Sequence, residues 1–376
     1  MLNKATIIVE FSVGILTMAP THPALRRALT FAQTYQFEVP ILLAPMAGVS
    51  PPSLSIAVAH AGGLGSCGAL LMPAAAIQTW ADDVRSAGVE QFQINLWIPD
   101  PPTPPDDAAE AAIQDFLRPW NTGNTDKPRL GSLPDFTAQC EMLLTLAPPI
   151  ISSVMGLYPP DIVARMKAKK IAWFATVTTV AEAQAAAAAG ADAVIAQGME
   201  AGGHRGAFDA SYAETQMVGL FALIPAVVDA VALPVIATGG IADPRGVAAA
   251  LLLGASAVQI GTGFLRCPEA QIPTAWANAL SLCQPEDTRV TRAFSGRPGR
   301  SLATSYVRSA AAPHAPPPAP YPQQRALTQA MRDTANIKND LTRMQAWAGQ
   351  ASRLAQARPA GEIVHDLWKG ACAYLA

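Results

Sequence analysis

The sequence predicts a (β/α)8 TIM barrel. Three observations carry that expectation. Eight short β-like runs alternate with helical stretches, most of the runs are near-continuously apolar, and glycine-rich or polar residues follow the same ends of those runs. The 376-residue chain is 51% hydrophobic and 14% charged, a composition suited to helices packed around a buried parallel sheet. An open sheet of six or seven strands is the structural rival.

In chain order the runs are VPILLA (39–44), GLGSCG (63–68), QFQINL (91–96), PIISSVM (149–155), IAWFATV (171–177), ADAVIAQG (191–198), LPVIATGG (233–240) and ASAVQIGTG (255–263). The second, which is glycine-rich, and the fourth carry the weakest strand pattern. Between most pairs lie helical patterns: SLSIAVAHA, AAAIQTWADDVRSA, DFTAQCEMLLTLA, PDIVARMKAK, VAEAQAAAAAG, QMVGLFALIPAVVDAVA and DPRGVAAALLLG. Several open on Asp, Ser, Thr or Pro and several close at Gly, as helix start and stop chemistry requires.

Two segments break this rhythm. Residues 97–133 form a long, proline-rich insertion after the third strand, on the side where barrel sites are built; a lid and a surface excursion are both open there. Residues 311–322, AAPHAPPPAPYP, read as an extended proline-rich linker. Beyond it, 324–358 and 360–375 read as helices. The expected organisation is therefore an N-terminal extension (1–37), a barrel (38–310), a linker (311–322) and a C-terminal helical segment (323–376).

The opening MLNKATIIVEFSVGILTMAP faintly resembles a signal peptide. Glu10 interrupts its apolar run, which is too short for a membrane span, so a disordered or strand-like extension is expected, with Met18 an alternative start. No other window has the unbroken apolar length of a membrane helix. The formal net charge of −2, without a lysine-arginine cluster, argues against nucleic acid as a partner. Five scattered cysteines without a CxxC pair suit a reducing, cytoplasmic compartment, and five dispersed histidines offer no metal site. A monomer or homodimer with a small-molecule substrate, away from membranes, is the expectation.

The loops after the strands carry the chemistry. They read PMAGVS after the first, NLWIPD after the third, QGMEAGGHRG after the sixth, TGGIADPRG after the seventh and GTGFLRCPE after the eighth. In a barrel these share one face. The last two offer uncovered backbone N–H groups and the Thr262 hydroxyl in the order and place where barrels bind phosphate. Met46 would reach over the mouth as a soft contact, with core filling as its alternative. Asn95 and Gln197 can each donate and accept, which suits the edge of a flavin- or pyrimidine-like ring; strand-end capping is their alternative role. His204, flanked by Gly202, Gly203 and Gly206, is the candidate general base, and a turn residue otherwise. Arg205 either assists an anion or is a solvated loop charge.

The stretches APMAGVSPPSL, FQINLWIPDP, AQGMEAGGHRG, PVIATGGIADPRGV, VQIGTGFLRCPEA and AFSGRPGR run in this order between residues 40 and 300. Through them the sequence resembles the nitronate monooxygenase (2-nitropropane dioxygenase-like) family of FMN-dependent barrels. The resemblance implies that FMN is held by the Pro45, Met46 and Ala47 turn, Asn95, Gln197, Gly202 and Gly203, Gly239 and Gly240, and the run Gln259, Ile260, Gly261 and Thr262. It implies that His204 takes the proton α to a nitro group or otherwise contacts the substrate, a nitronate or nitroalkane. FMN would accept an electron or hydride and pass it to O2, giving a carbonyl compound and nitrite. The loop ISSVMG departs from the family, which carries an aromatic residue and often a histidine there.

Rival readings remain at this point. An NAD(P)H-dependent FMN reductase of quinone or enoyl type is the nearest, although no GxGxxG follows a strand here, and enoyl reductases tend to carry glutamate at the position of Gln197. A barrel using a cysteine such as Cys267, or a Schiff-base lysine such as Lys167, Lys169 or Lys170, has less support. Outside the enzymes, a flavin-binding protein that has lost its chemistry is the alternative.

Overall fold

All eight expected strands form. The computed structural model describes residues 22–101, 107–121 and 133–376. The barrel strands are β1 (Ile41–Leu43), β2 (Gly65–Gly68), β3 (Phe92–Trp97), β4 (Ile150–Val154), β5 (Ala172–Val177), β6 (Ala193–Gln197), β8 (Val235–Thr238) and β9 (Ala257–Ile260). They pair in the order β1-β9-β8-β6-β5-β4-β3-β2, every pair parallel. A parallel bridge between Leu42 and Leu64 joins the two ends, so the sheet closes and the open-sheet rival falls. A separate antiparallel ladder of β7 (Gly203–His204), β11 (Gly299–Leu302) and β10 (Thr288–Thr291) stands outside the barrel. The weak pattern of β2 has a steric cause. A Cβ on Gly65 would lie 2.8 Å from the Ser55 carbonyl oxygen of the adjoining helix Pro52–His60, and one on Gly68 would lie 2.6 Å from the Ala47 nitrogen.

The pleat sorts chemistry by depth. On β3, Phe92, Ile94 and Leu96 face the surrounding helices, so Gln93, Asn95 and Trp97 point inward. The lower barrel interior is apolar, built by Leu42, Leu64, Ile150, Phe174, Ile195 and Ile236 and plugged by Phe31 and Phe37. Above it lies a polar layer of Gln93, Asn95, Ser152, Thr176, Gln197, Thr238 and Gln259, all buried. Buried polar groups need partners. Gln93 Nε2 donates to Gln259 Oε1 (3.0 Å), Asn95 Nδ2 to Ser152 Oγ (3.1 Å) and Thr238 Oγ1 to the Gln259 carbonyl (2.8 Å).

The expected disordered or strand-like opening, residues 1–20, lies outside the described residues, and of the N-terminal extension residues 22–37 are described. Pro23–Thr34 is a helix whose N-cap His22 accepts from the Ala24 N–H (3.2 Å), and its Phe31 plugs the barrel floor. Residues 1–21, Met18 included, lie outside the described residues, as do 102–106 and 122–132 of the insertion. The described residues of that insertion include a helix, Asp107–Leu117, which buries Ile113 and Leu117 against Phe294, Tyr306, Val307 and Leu327.

The proline-rich 311–322 is docked on the protein. Ala319 is buried, and Tyr321 stacks on Trp97 with ring centroids 4.8 Å apart and planes 10° apart. Residues 324–358 are not one helix. Gln323–Leu327 and Gln329–Ile337 are short helices, Asn339 turns left-handed at φ 53°, and the chain then pairs beside β11. There the Leu302 N–H donates to the Ala346 carbonyl (2.9 Å) and the Ala348 N–H to the Arg300 carbonyl (3.2 Å), so tertiary pairing overrides the helical pattern. The last helix forms as expected, over Ala360–Tyr374, and packs on the helices Pro244–Leu252 and Pro52–His60. Among the described residues no helix is long and apolar enough to cross a membrane.

Candidate active site

The carboxyl ends of the strands open into a cavity of about 660 Å3, well within the roughly 300–1,000 Å3 of small-molecule sites. It is lined by Pro45, Met46 and Ala47 after β1, Asn95 on β3, Gln197, Gly202, Gly203 and His204 at and after β6, Gly239 and Gly240 after β8, and Gln259, Gly261 and Thr262 at and after β9. Residues far apart in sequence thus meet at one mouth. Ile260 is the exception. It is buried in the apolar layer between barrel and helices, where its carbonyl accepts from the Ala44 N–H (2.9 Å).

One end of the cavity is a cradle of backbone. Gly240 has φ +69°, a left-handed conformation that only glycine adopts at little cost. A Cβ on Gly202 would fall 2.5 Å from the Gly349 nitrogen, and one on Gly261 would fall 3.3 Å from Met46 Sδ. Side chains are excluded here, and a flat ring or an anion can approach main chain directly. The adjoining loop is anchored by Glu200, whose carboxylate accepts from the Leu220 N–H (2.9 and 3.1 Å).

The other end is polar. The Asn95 amide donates to Ser152, which leaves its carbonyl oxygen for a ligand in the cavity it lines. Gln259 accepts from Gln93 and keeps its NH2 group as a donor. Gln197 is more committed than expected. Its Nε2 donates to the His204 carbonyl (3.0 Å), and its Oε1 accepts from the Gly206 N–H (2.8 Å), so one N–H remains for a ligand. Arg205 is not a solvated charge, and it does not line the cavity. It is buried, and its Nη1 donates to the carbonyls of Gln197 (3.1 Å) and Gly198 (3.0 Å), bracing the loop from behind.

His204 sits on β7, held by pairing with Gly299 of β11. Its ring lies between Trp97 and Trp347, with centroids 4.8 Å from each. Nε2 is 2.7 Å from the buried Ser295 Oγ, which also lies 3.2 Å from the Arg297 carbonyl. Ser295 has one proton to give. Turned to Arg297, it accepts from Nε2–H and leaves Nδ1 with a lone pair; turned to Nε2, it leaves Nδ1 as the N–H donor. Burial, then the guanidinium groups of Arg297, Arg325 and Arg332, push the imidazole pKa down to about 3. His204 is therefore neutral throughout the neutral range. Its partly open edge faces the cavity.

Arg325 and Arg332 line the same cavity from the helices after the proline-rich segment. Among the described residues neither forms an ion pair with a carboxylate. Arg332 donates to Thr328 Oγ1 (3.1 Å), Gln345 Oε1 (3.2 Å) and the Arg325 carbonyl (2.8 Å), and burial with Arg325 nearby lowers its pKa to about 9. The rim thus carries two guanidinium groups, with the Asp333 carboxylate lining the same cavity. Ser295 belongs to the AFSGRPGR stretch, but Trp97 falls in the segment read as insertion and Arg325, Arg332 and Trp347 in one read as helix, and no sequence signal singles them out.

Burial pushes the thiols of Cys67, Cys140 and Cys267 up to about 12, so they are poor nucleophiles. Among the described residues no group of three or more His, Cys, Asp or Glu is arranged to hold a metal ion.

Fold and site together define a (β/α)8-barrel enzyme with a glycine-walled cradle beside a desolvated imidazole. A family model described as nitronate monooxygenase matches residues 30–370. A nitronate monooxygenase of Paraburkholderia phytofirmans is 40% identical over 338 residues, covering 87% of this chain and 91% of that one. One from Pseudomonas aeruginosa is 38% identical over 344 residues, covering 90% and 97%. The crystal structure of a nitroalkane oxidase from Streptomyces ansochromogenes superimposes with a TM-score of 0.84 at 38% identity, covering 92% of this chain and all of that one. The chain belongs to the nitronate monooxygenase family, and it is an oxidoreductase. That family is generally flavin-dependent.

Proposed function

We propose that this protein uses FMN and O2 to oxidise alkyl nitronates to a carbonyl compound and nitrite. One observation carries the choice of substrate: a neutral, desolvated imidazole shares the cavity with Arg325 and Arg332, neither of which forms an ion pair with a carboxylate among the described residues. Cations in a water-poor pocket favour an anion, and a nitronate is one. The same environment makes His204 a weak base, so drawing a proton from a neutral nitroalkane is the less favourable task.

The residues fit FMN. The cradle that a Cβ would fill at Gly202 and Gly261, the left-handed Gly240 and the Thr262 hydroxyl suit a phosphate and the chain attached to it. Asn95, Gln259 and the spare N–H of Gln197 suit a ring edge with donors and acceptors. FMN, when bound, supplies acceptance of electrons from the substrate and their delivery to O2. His204, with Ser295 turned towards Nε2, donates from Nδ1 to a nitronate oxygen. Trp97 and Trp347 exclude water from the imidazole, and Arg325 and Arg332 attract the substrate anion. The five free cysteines suit a cytoplasmic place of action.

The test is nitrite release by the FMN-loaded protein, given the same nitro compound as preformed nitronate and as neutral nitroalkane. The nitronate is expected to turn over and the neutral form to turn over far more slowly. Equal rates for the two would overturn the anion preference.

A further inference from the structure

The short turn Trp347–Ala351 lies in a segment that the sequence pattern assigns to a helix, yet it reaches the cofactor cradle. Gly349 lines the same cavity as Gly202, Gly240 and Thr262. The two glycines meet closely: a Cβ on Gly202 would lie 2.5 Å from the Gly349 nitrogen, and one on Gly349 would lie 2.9 Å from the Gly202 nitrogen and 2.8 Å from the Glu200 carbonyl oxygen. Neither position tolerates a side chain without moving main chain. The turn is fixed on both sides, by the Ala348 N–H donating to the Arg300 carbonyl (3.2 Å) and the Gln350 N–H donating to the Glu200 carbonyl (2.9 Å).

The Gly349 N–H donates to Thr262 Oγ1 (3.0 Å). A hydroxyl that accepts from a backbone N–H keeps its own proton to give. We infer that the turn Trp347–Ala351 is the closing wall of the phosphate end of the cofactor site, with Gly349 the positioning residue that holds the Thr262 hydroxyl as a donor to the phosphate. This rests on the FMN reading above. Because Trp347 of the same turn packs on His204, the wall that closes over the phosphate also completes the aromatic cage of the imidazole. Capture of the cofactor and assembly of the substrate corner are then one event.

The test separates phosphate from ring by comparing FMN with riboflavin, which has the ring and no phosphate. Wild type and Gly349→Ala are titrated with each flavin, following quenching of flavin fluorescence. The variant is expected to bind FMN about tenfold more weakly or worse, the scale of an overpacked contact, with riboflavin affinity held within about twofold. Equal weakening of both, or of neither, overturns the inference. Hydrogen exchange on the wild type gives a second measurement that needs no variant to fold. FMN is expected to slow the amides of 348–351 more than riboflavin does, and equal protection by the two contradicts the inference. A wild-type protein that binds neither flavin overturns the FMN reading itself.

Discussion

The low pKa of His204 ties stability to pH. Burial, then Arg297, Arg325 and Arg332, lower its imidazole pKa from the ordinary 6.5 to about 3 in the folded protein. Between these values the unfolded chain binds the extra proton, so stability is lost as pH falls through that window. Taking the protein from about pH 7.5 to about pH 5 removes about 2 kcal/mol on this account alone. That is an upper figure, since the ring edge facing the cavity keeps some solvent. The assay is urea denaturation of the cofactor-free protein at both pH values, for wild type and His204→Asn. Carboxylates and other histidines contribute alike to both proteins, so the difference between their losses isolates this imidazole. Wild type is expected to lose up to about 2 kcal/mol more than the variant. Equal losses would refute the reasoning and put His204 in contact with water.

Three further outcomes follow from the site. Replacing Arg325 with Met removes a rim cation without filling the cavity with charge; KM for a nitronate is expected to rise about tenfold with kcat little changed, read from steady-state nitrite release. Ser295→Ala leaves His204 Nε2 without its buried partner, and kcat/KM is expected to fall about tenfold, with a loss of about 1–3 kcal/mol in urea denaturation. Gln197→Leu strips partners from the His204 carbonyl and the Gly206 N–H; a loss of about 2 kcal/mol or more in urea denaturation is expected, and an unchanged midpoint would show that the loop does not depend on this amide.

Much of the barrel was legible because its signals are local. Runs such as LPVIATGG are bounded by turn residues, and the loops that follow them put Gly240, Gly261 and Thr262 on one face once the strands are parallel. The glycine-rich β2 was weakly marked for the same reason that it works: Gly65 and Gly68 let a helix and the Pro45–Ala47 turn come close. What stayed hidden was non-local. Residues 338–351 have a helical composition, but pairing with β11 pulls them into an extended turn, which brings Trp347 and Gly349 to the site. Arg205 looks solvent-exposed in a glycine-rich loop, yet carbonyls of its own loop accept from it below the surface. Tyr321 sits in a proline-rich stretch that reads as linker, and only the Trp97 ring beneath it gives it a place. Motif spacing marks what a loop offers to a ligand. It does not mark which distant segment closes over that loop.

The most direct measurement mixes the FMN-loaded protein with an alkyl nitronate in the absence of oxygen and follows the visible absorbance of the flavin. The expected result is rapid bleaching by the nitronate, recovery of the colour and release of nitrite when O2 is admitted, and no comparable bleaching by NADH. A flavin that keeps its colour with the nitronate but loses it with NADH would contradict the assignment and make the protein a reductase.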